Sequence, residues 1–221
     1  MVFSRNTKLS FDRPIWDYTL VKQIRNDLVR GKKFLVSKNI LTKSSYLNIG
    51  CGSNVVSNFI NLDYEWRPGI DICWDITKRL PLEDSSILGI FSEHCLEHIP
   101  FQSAIFHLGE CYRILKPNGT MRLIVPDTEK YIDIYVQKKL GKDIEFPYQT
   151  ESEKTPIMSL NRVFRNHGHC YAYDYETLVE LIKNSGFSSV TKVDFRKGEE
   201  SDLFLDSEWR AVESIYLEIK K

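Results

Sequence analysis

The chain of 221 residues has no excess of charge, because 30 basic and 30 acidic residues cancel. A balanced total offers no basic face for non-specific nucleic-acid binding and no acidic tail. It also has no apolar run of 18 residues, and its N-terminus lacks the short apolar stretch of a secretory leader. Neither membrane insertion nor export is therefore expected. Cysteine is sparse and unpaired in pattern: Cys51, Cys73, Cys95, Cys111 and Cys170 form an odd set without a C-x-x-C pair. A chain of this length needs no disulfide staples, so these read as reduced thiols of a cytoplasmic protein, with no cysteine metal knuckle. Repeats and low-complexity tracts are missing too. With 42% hydrophobic and 27% charged residues there is enough apolar material for one α/β domain.

What is present is organised around Tyr46-Leu47-Asn48-Ile49-Gly50-Cys51-Gly52-Ser53-Asn54. A short β-type run ends in two glycines one residue apart. Glycine at a strand's carboxyl end lets the backbone turn sharply and approach a ligand without a Cβ in the way. A dinucleotide fold would want a third glycine where Val55 stands, and an acidic residue about 20 positions on. Here Asp63 comes much sooner, so nicotinamide binding is disfavoured.

Ahead of that stretch, Trp16, Leu20, Val21, Ile24 and Leu28 have helical spacing, which predicts an amphipathic covering helix within residues 1–44. Beyond it, residues 40–49 supply a first strand and residues 59–63 a second that ends in a carboxylate. Only residues 53–58 remain to connect them, whereas a crossover normally takes about a dozen or more. The usual first helix must be cut to about one turn or lost.

A third strand at residues 72–74 ends at Asp75, and a buried fourth at 87–92 ends in Glu93-His94-Cys95-Leu96-Glu97-His98. A helix over 102–115 is broken by Lys116-Pro117-Asn118-Gly119, and a fifth strand over 120–125 ends at Asp127. Residues 128–170, with helical pattern at 131–140 and 156–164, read as an inserted substrate lid. Asp174 caps a further helix closed by Gly186, and strands at 190–195 and 215–219 flank an acidic loop. Strands alternating with helices predict a Rossmann-like, doubly wound α/β sheet over residues 45–221. Reactive side chains gather at its strand ends, where such sheets keep their ligand crevice.

Leu47-Asn48-Ile49-Gly50-Cys51-Gly52, Asn61-Leu62-Asp63, Asp75-Ile76, Leu80-Pro81-Leu82, Ser92-Glu93-His94-Cys95-Leu96-Glu97-His98, Leu115-Lys116-Pro117-Asn118-Gly119 and Tyr216-Leu217-Glu218-Ile219-Lys220 form an ordered set. Together they resemble the class I S-adenosylmethionine-dependent methyltransferases, in particular a small type-11-like branch linked to glycan and cell-surface polysaccharide synthesis. The resemblance spans residues 45–126 well and 171–221 more loosely. It implies a three-layer, mostly parallel seven-stranded sheet with an antiparallel last strand. It also implies S-adenosyl-L-methionine as cofactor and a sugar, nucleotide sugar or glycan as acceptor. Gly50, Cys51 and Gly52 would approach the cofactor's methionine and ribose, Asp63 the ribose hydroxyls, Asp75 and Ile76 the adenine, and Ser92 and His94 the methyl-bearing sulfur. Asn48 departs from the acidic residue usual at its position, where the family contacts the cofactor's amino group.

A hydroxyl acceptor must also lose a proton, and histidine suits that task near neutral pH. The candidates are His169 and His167, beside Tyr171 and Tyr173 in the lid, then His98 and Asp127. The leading reading assigns no metal. Two alternatives stay open. His94, Glu97 and His98 fit H-x-x-E-H and look like the metal segment of ubiquinone-pathway and small-RNA methyltransferases. A metal-assisted enzyme would use them with His169 as a further ligand. Pro100 and the preceding strand leave no room for the helix that a protease with this pattern needs. The second alternative is a non-catalytic methyltransferase-like subunit, which Asn48 and the shortened first helix favour.

Overall fold

The computed structural model describes residues 44–221, so the covering helix expected within residues 1–44 falls outside the described residues. Seven strands form one sheet: β1 (Tyr46–Ile49), β2 (Ile60–Asp63), β3 (Ile72–Cys73), β4 (Ile87–Glu93), β5 (Leu115–Pro126), β6 (Ser189–Val193) and β7 (Ser214–Lys220). Their order is β3-β2-β1-β4-β5-β7-β6. The pairings among β1 to β5 are parallel, and β7 runs antiparallel to both β5 and β6. Among the described residues four α-helices accompany them: α1 (Phe101–Ile114), α2 (Thr128–Lys139), α3 (Pro156–Arg165) and α4 (Tyr175–Asn184).

Strand alternation sorts the side chains onto two unlike faces. Leu47, Ile49, Ile60, Leu62, Ile90, Leu123, Leu217 and Ile219 share one cluster with Ala104, Leu108 and Cys111 of α1 and Leu178 and Ile182 of α4. The opposite face carries Phe91, Ile124 and Tyr216, packed against Leu203 and Leu205 of the β6–β7 connection. It also holds buried Asn48, Asn61, Arg122 and Glu218. Polar groups on a covered face must find partners inside the protein, and these do. The Arg122 guanidinium donates Nε to Asp206 Oδ1 at 2.6 Å and Nη2 to Oδ2 at 2.5 Å, with further bonds to the carbonyls of Lys197 and Asp194. That fork ties the long β6–β7 connection across the sheet.

The asparagines explain how β1 reaches β2 without a helix. Asn61 accepts from Val56 N at 2.9 Å and donates to the carbonyls of Val56 and Phe59, while Asn48 donates to Asn54 O and Asn61 Oδ1. Two side-chain amides thus satisfy backbone groups that a crossover helix would have satisfied itself.

One boundary differs from expectation. Lys116-Pro117-Asn118-Gly119 does not precede β5 but is an excursion within it. Ile87 pairs with Leu115 and Gly89 with Thr120, so β5 bulges between them, and Asn118 takes φ +64°, a left-handed turn asparagine tolerates.

The inserted segment has a small core of its own, Tyr131, Phe146, Leu160 and Val163. Tyr131 Oη joins it to the root of β7 by donating to Glu213 Oε2 at 2.6 Å. No helix among the described residues is long and apolar enough to cross a membrane.

Candidate active site

The glycine turn follows β1 directly. Gly50 and Gly52 have φ +68° and +54°, and the amides of Gly50 and Cys51 both reach Leu62 O. A Cβ on Gly50 would lie 2.5 Å from Cys95 Sγ, so its bareness serves packing against the β4 turn. A Cβ on Gly52 would meet nothing within 4 Å. Gly52 borders an open cleft of about 540 Å³, which Gly50, Cys51, Asp63, Ile76 and His94 also line. Asp63, at the end of β2, accepts from Gly52 N at 2.8 Å and Glu65 N at 2.7 Å. Each carboxylate oxygen keeps a further lone pair for a ligand.

Three residues expected at the cofactor lie off this lining. Asn48 is spent on the β1–β2 connection, as described. Asp75 accepts from Thr77 N and Oγ1 and closes its own turn. Ser92 is buried beneath the cleft beside Cys95.

A second cavity of about 280 Å³ opens between the insertion and the β6–β7 connection. His167, His169, Tyr148 and Arg162 line it from the insertion, and Glu213 from the root of β7. His94, His98, Trp209 and Arg210 line both cavities. The expected candidates His98, His167 and His169 therefore meet here. Asp127 does not join them: it caps α2, accepting from Lys130 N at 3.1 Å. Trp209 and Arg210 are brought to the shared wall by Glu93, whose carboxylate accepts from Ser207 N and Oγ at 2.9 and 2.5 Å.

Sequence reading missed Trp209, Arg210 and Tyr148. One signal was available: an arginine at position 122 in the middle of a buried strand requires a carboxylate partner. The acidic β6–β7 connection is the obvious source, which would have laid that segment across the sheet.

Between the cavities lies a buried polar cluster. His94, with φ +49°, directly follows β4, a conformation held only where its surroundings impose it. Its Nε2 contacts Ser214 Oγ at 2.8 Å, and its Nδ1 lies 3.5 Å from Glu97 Oε1. His98 Nε2 and His169 Nε2 approach the same oxygen at 3.8 and 4.0 Å. Burial pushes Glu97 up to about 8 and holds His94 down to about 2 and His98 to about 4. His169 is lowered for the same reason. These imidazoles are neutral at neutral pH.

The strand order, the glycine turn beside a carboxylate at the end of β2, and the second cavity at the end of β4 define a class I methyltransferase fold. Comparisons with known proteins agree. A family model described as a methyltransferase domain matches residues 58–123. No curated protein sequence matches the chain. A solved S-adenosylmethionine-dependent methyltransferase from Archaeoglobus fulgidus is 16% identical, with 91% of this chain and 93% of that one covered and a TM-score of 0.51. One from Aquifex aeolicus is 11% identical over 90% and 97% of the two chains, with a TM-score of 0.47. At 16% identity the likeness to the Archaeoglobus fulgidus structure bears on the fold alone.

Proposed function

We propose that the protein is an S-adenosylmethionine-dependent methyltransferase that O-methylates a sugar, a nucleotide sugar or a glycan terminus. The observation that carries this reading is the shared wall: a donor in the glycine-turn cleft and an acceptor in the second cavity would meet at His94, His98, Trp209 and Arg210. In the cleft, Asp63 receives the ribose hydroxyls in charge-assisted hydrogen bonds worth about 1.5–3 kcal/mol. Gly52 admits the cofactor's backbone-hugging portion, and Ile76 offers the adenine an apolar contact.

The acceptor side combines aromatic and polar groups. Tyr148 Oη donates to Trp209 O, and the two rings lie 6.0 Å apart at 63°. Such a surface suits the apolar face of a pyranose ring, with Arg162, Arg210 and Glu213 in reach of its oxygens. Methyl transfer is an in-line displacement: the acceptor oxygen bonds to the methyl carbon as the carbon–sulfur bond breaks, and the hydroxyl proton passes to a base. Alignment of donor and acceptor supplies most of the acceleration, about 7–11 kcal/mol in well-oriented systems. The histidines of the second cavity, His98, His167 and His169, are the candidates for the base.

Calorimetry with S-adenosylhomocysteine is the first test; no binding at millimolar ligand leaves a non-catalytic, methyltransferase-like subunit. A panel of sugars, nucleotide sugars and small amines incubated with methyl-labelled cofactor then identifies the acceptor class. Label appearing on an amine and on no sugar would overturn the carbohydrate reading while keeping the methyltransferase one.

A further inference from the structure

We propose that Glu97, His98 and His169, with His94 at their edge, form a binding site for a divalent transition-metal ion, zinc foremost, open toward the acceptor cavity. The side chain of Glu97 is 2% accessible, and neither of its oxygens has a hydrogen-bond partner. A buried carboxyl with neither oxygen satisfied is costly, more so when ionised, and calls for a cause.

The surrounding geometry supplies that cause. His169 Nδ1 lies 2.6 Å from Val163 O; a carbonyl only accepts, so the ring proton sits on Nδ1. Nε2 then presents its lone pair toward Glu97 Oε1, 4.0 Å away. Two acceptors facing each other need a proton or a cation between them. A single proton on Glu97 could serve one neighbour, yet three imidazole nitrogens surround that oxygen at 3.5, 3.8 and 4.0 Å, all beyond hydrogen-bond reach.

The ligating atoms of Glu97, His98 and His169 lie within 4.8 Å of one another. Around a tetrahedral ion with bonds of about 2.0–2.1 Å, ligand atoms stand roughly 3.3 Å apart. Closure by about 1.5 Å at most brings the set onto an ion. The outer contacts are those that metal-bound histidines make: His169 donates to a backbone carbonyl and His94 holds Ser214. Rigidity comes from the main chain, since Cys170 N and Tyr171 N both donate to Glu97 O, at 2.7 and 3.2 Å. Those two bonds clamp the end of the insertion onto the turn after β4 and fix His169 against Glu97.

Imidazole nitrogens with a single carboxylate favour zinc or a similar transition metal over magnesium or calcium, which demand oxygen. Arg210 opposes a cation here, and Glu93 and Glu213 favour one. The ion's action on the acceptor rests on the methyltransferase reading; its binding does not. Coordination would orient the acceptor hydroxyl and ease loss of its proton. With His98 and His169 engaged on the ion, His167 takes that proton.

The test uses the full, untagged chain, stripped with chelator and titrated with Co(II) followed by absorption spectroscopy, and with Zn(II) by calorimetry. One equivalent should bind, with the Co(II) spectrum of a four- or five-coordinate nitrogen and oxygen site that Zn(II) bleaches. His98→Ala and His169→Ala should each weaken the ion by at least about tenfold. His169→Ala should leave affinity for S-adenosylhomocysteine within about twofold, which shows that the variant is folded. Absence of saturable binding by the wild type, or binding indifferent to both substitutions, overturns the site. Zinc binding without S-adenosylhomocysteine binding would uphold the ion and remove the methyltransferase reading alone.

Discussion

Asp63 does two jobs with four lone pairs. Two are taken by the amides of Gly52 and Glu65, which hold the glycine turn and the start of the next loop against β2. The remainder face the cleft. Asp63→Ala should therefore weaken S-adenosylhomocysteine at least about tenfold, the loss of one charge-assisted hydrogen bond. Asp63→Asn, which keeps the shape, should fall between that variant and the wild type. Calorimetry reads both, and an unchanged dissociation constant for Asp63→Ala would take the residue out of the site. His107 makes a different residue-scale case, because it is buried in α1 with Nε2 3.5 Å from Cys111 Sγ, away from both cavities. Burial holds it down to about 4 from its ordinary 6.5. Below pH 6.5 the unfolded chain binds a proton that the folded chain refuses, so stability falls as pH drops from 6.5 toward 4 and levels off below. The effect is about 3 kcal/mol for a shift of this size. Urea midpoints measured over that range should fall less steeply for His107→Phe than for the wild type; identical slopes would show that His107 titrates normally.

At the scale of elements, the β6–β7 connection departs most from what its sequence suggests. Read as an acidic loop between strands, it is instead the cover of one sheet face and one wall of both cavities. Arg122 and Asp206 hold it there, with side chains 1% and 0% accessible. Asp206→Ala strands a buried guanidinium and should cost about 3–5 kcal/mol, whereas Arg122→Met with Asp206→Leu should recover most of that loss. Chemical denaturation measures both; equal loss in the single and double variants would mean that the pair acts only through shape. The same element marks the limit of sequence reading. β1, β2, β4 and the glycine turn were legible because apolar runs ending in glycine or carboxylate carry their signal locally. The lost first helix was legible from length alone. Its replacement by Asn48 and Asn61 was not, because which backbone group a side-chain amide meets depends on chain neighbours brought together only by folding. Likewise His94, Glu97 and His98 were visible as a spacing, and His169 was named as a further ligand in the metal-assisted alternative. What no spacing could show is how His169 is seated, by two hydrogen bonds to Glu97 O from residues more than seventy positions on.

For the whole molecule, the cleft is built from opposite ends of the chain. The turn after β1 and the end of β2 form one side, and Trp209 and Arg210, on a segment anchored to Glu93 through Ser207, form the other. A ligand that touches both sides adds a tether between them. At about 100 times its dissociation constant, S-adenosylhomocysteine would stabilise the folded chain by about 2.7 kcal/mol. In a domain of this size that raises the melting midpoint by about 5–10 °C. The gain should be unevenly distributed: amide exchange should slow at residues 50–54, 63–65 and 209–210, which border the cleft, and hardly change in α4 or β6, which share no residue with it. Protection limited to residues 50–67 would show that the cofactor sits against the sheet without engaging Trp209 and Arg210. The shared wall would then lose its role in bringing donor and acceptor together.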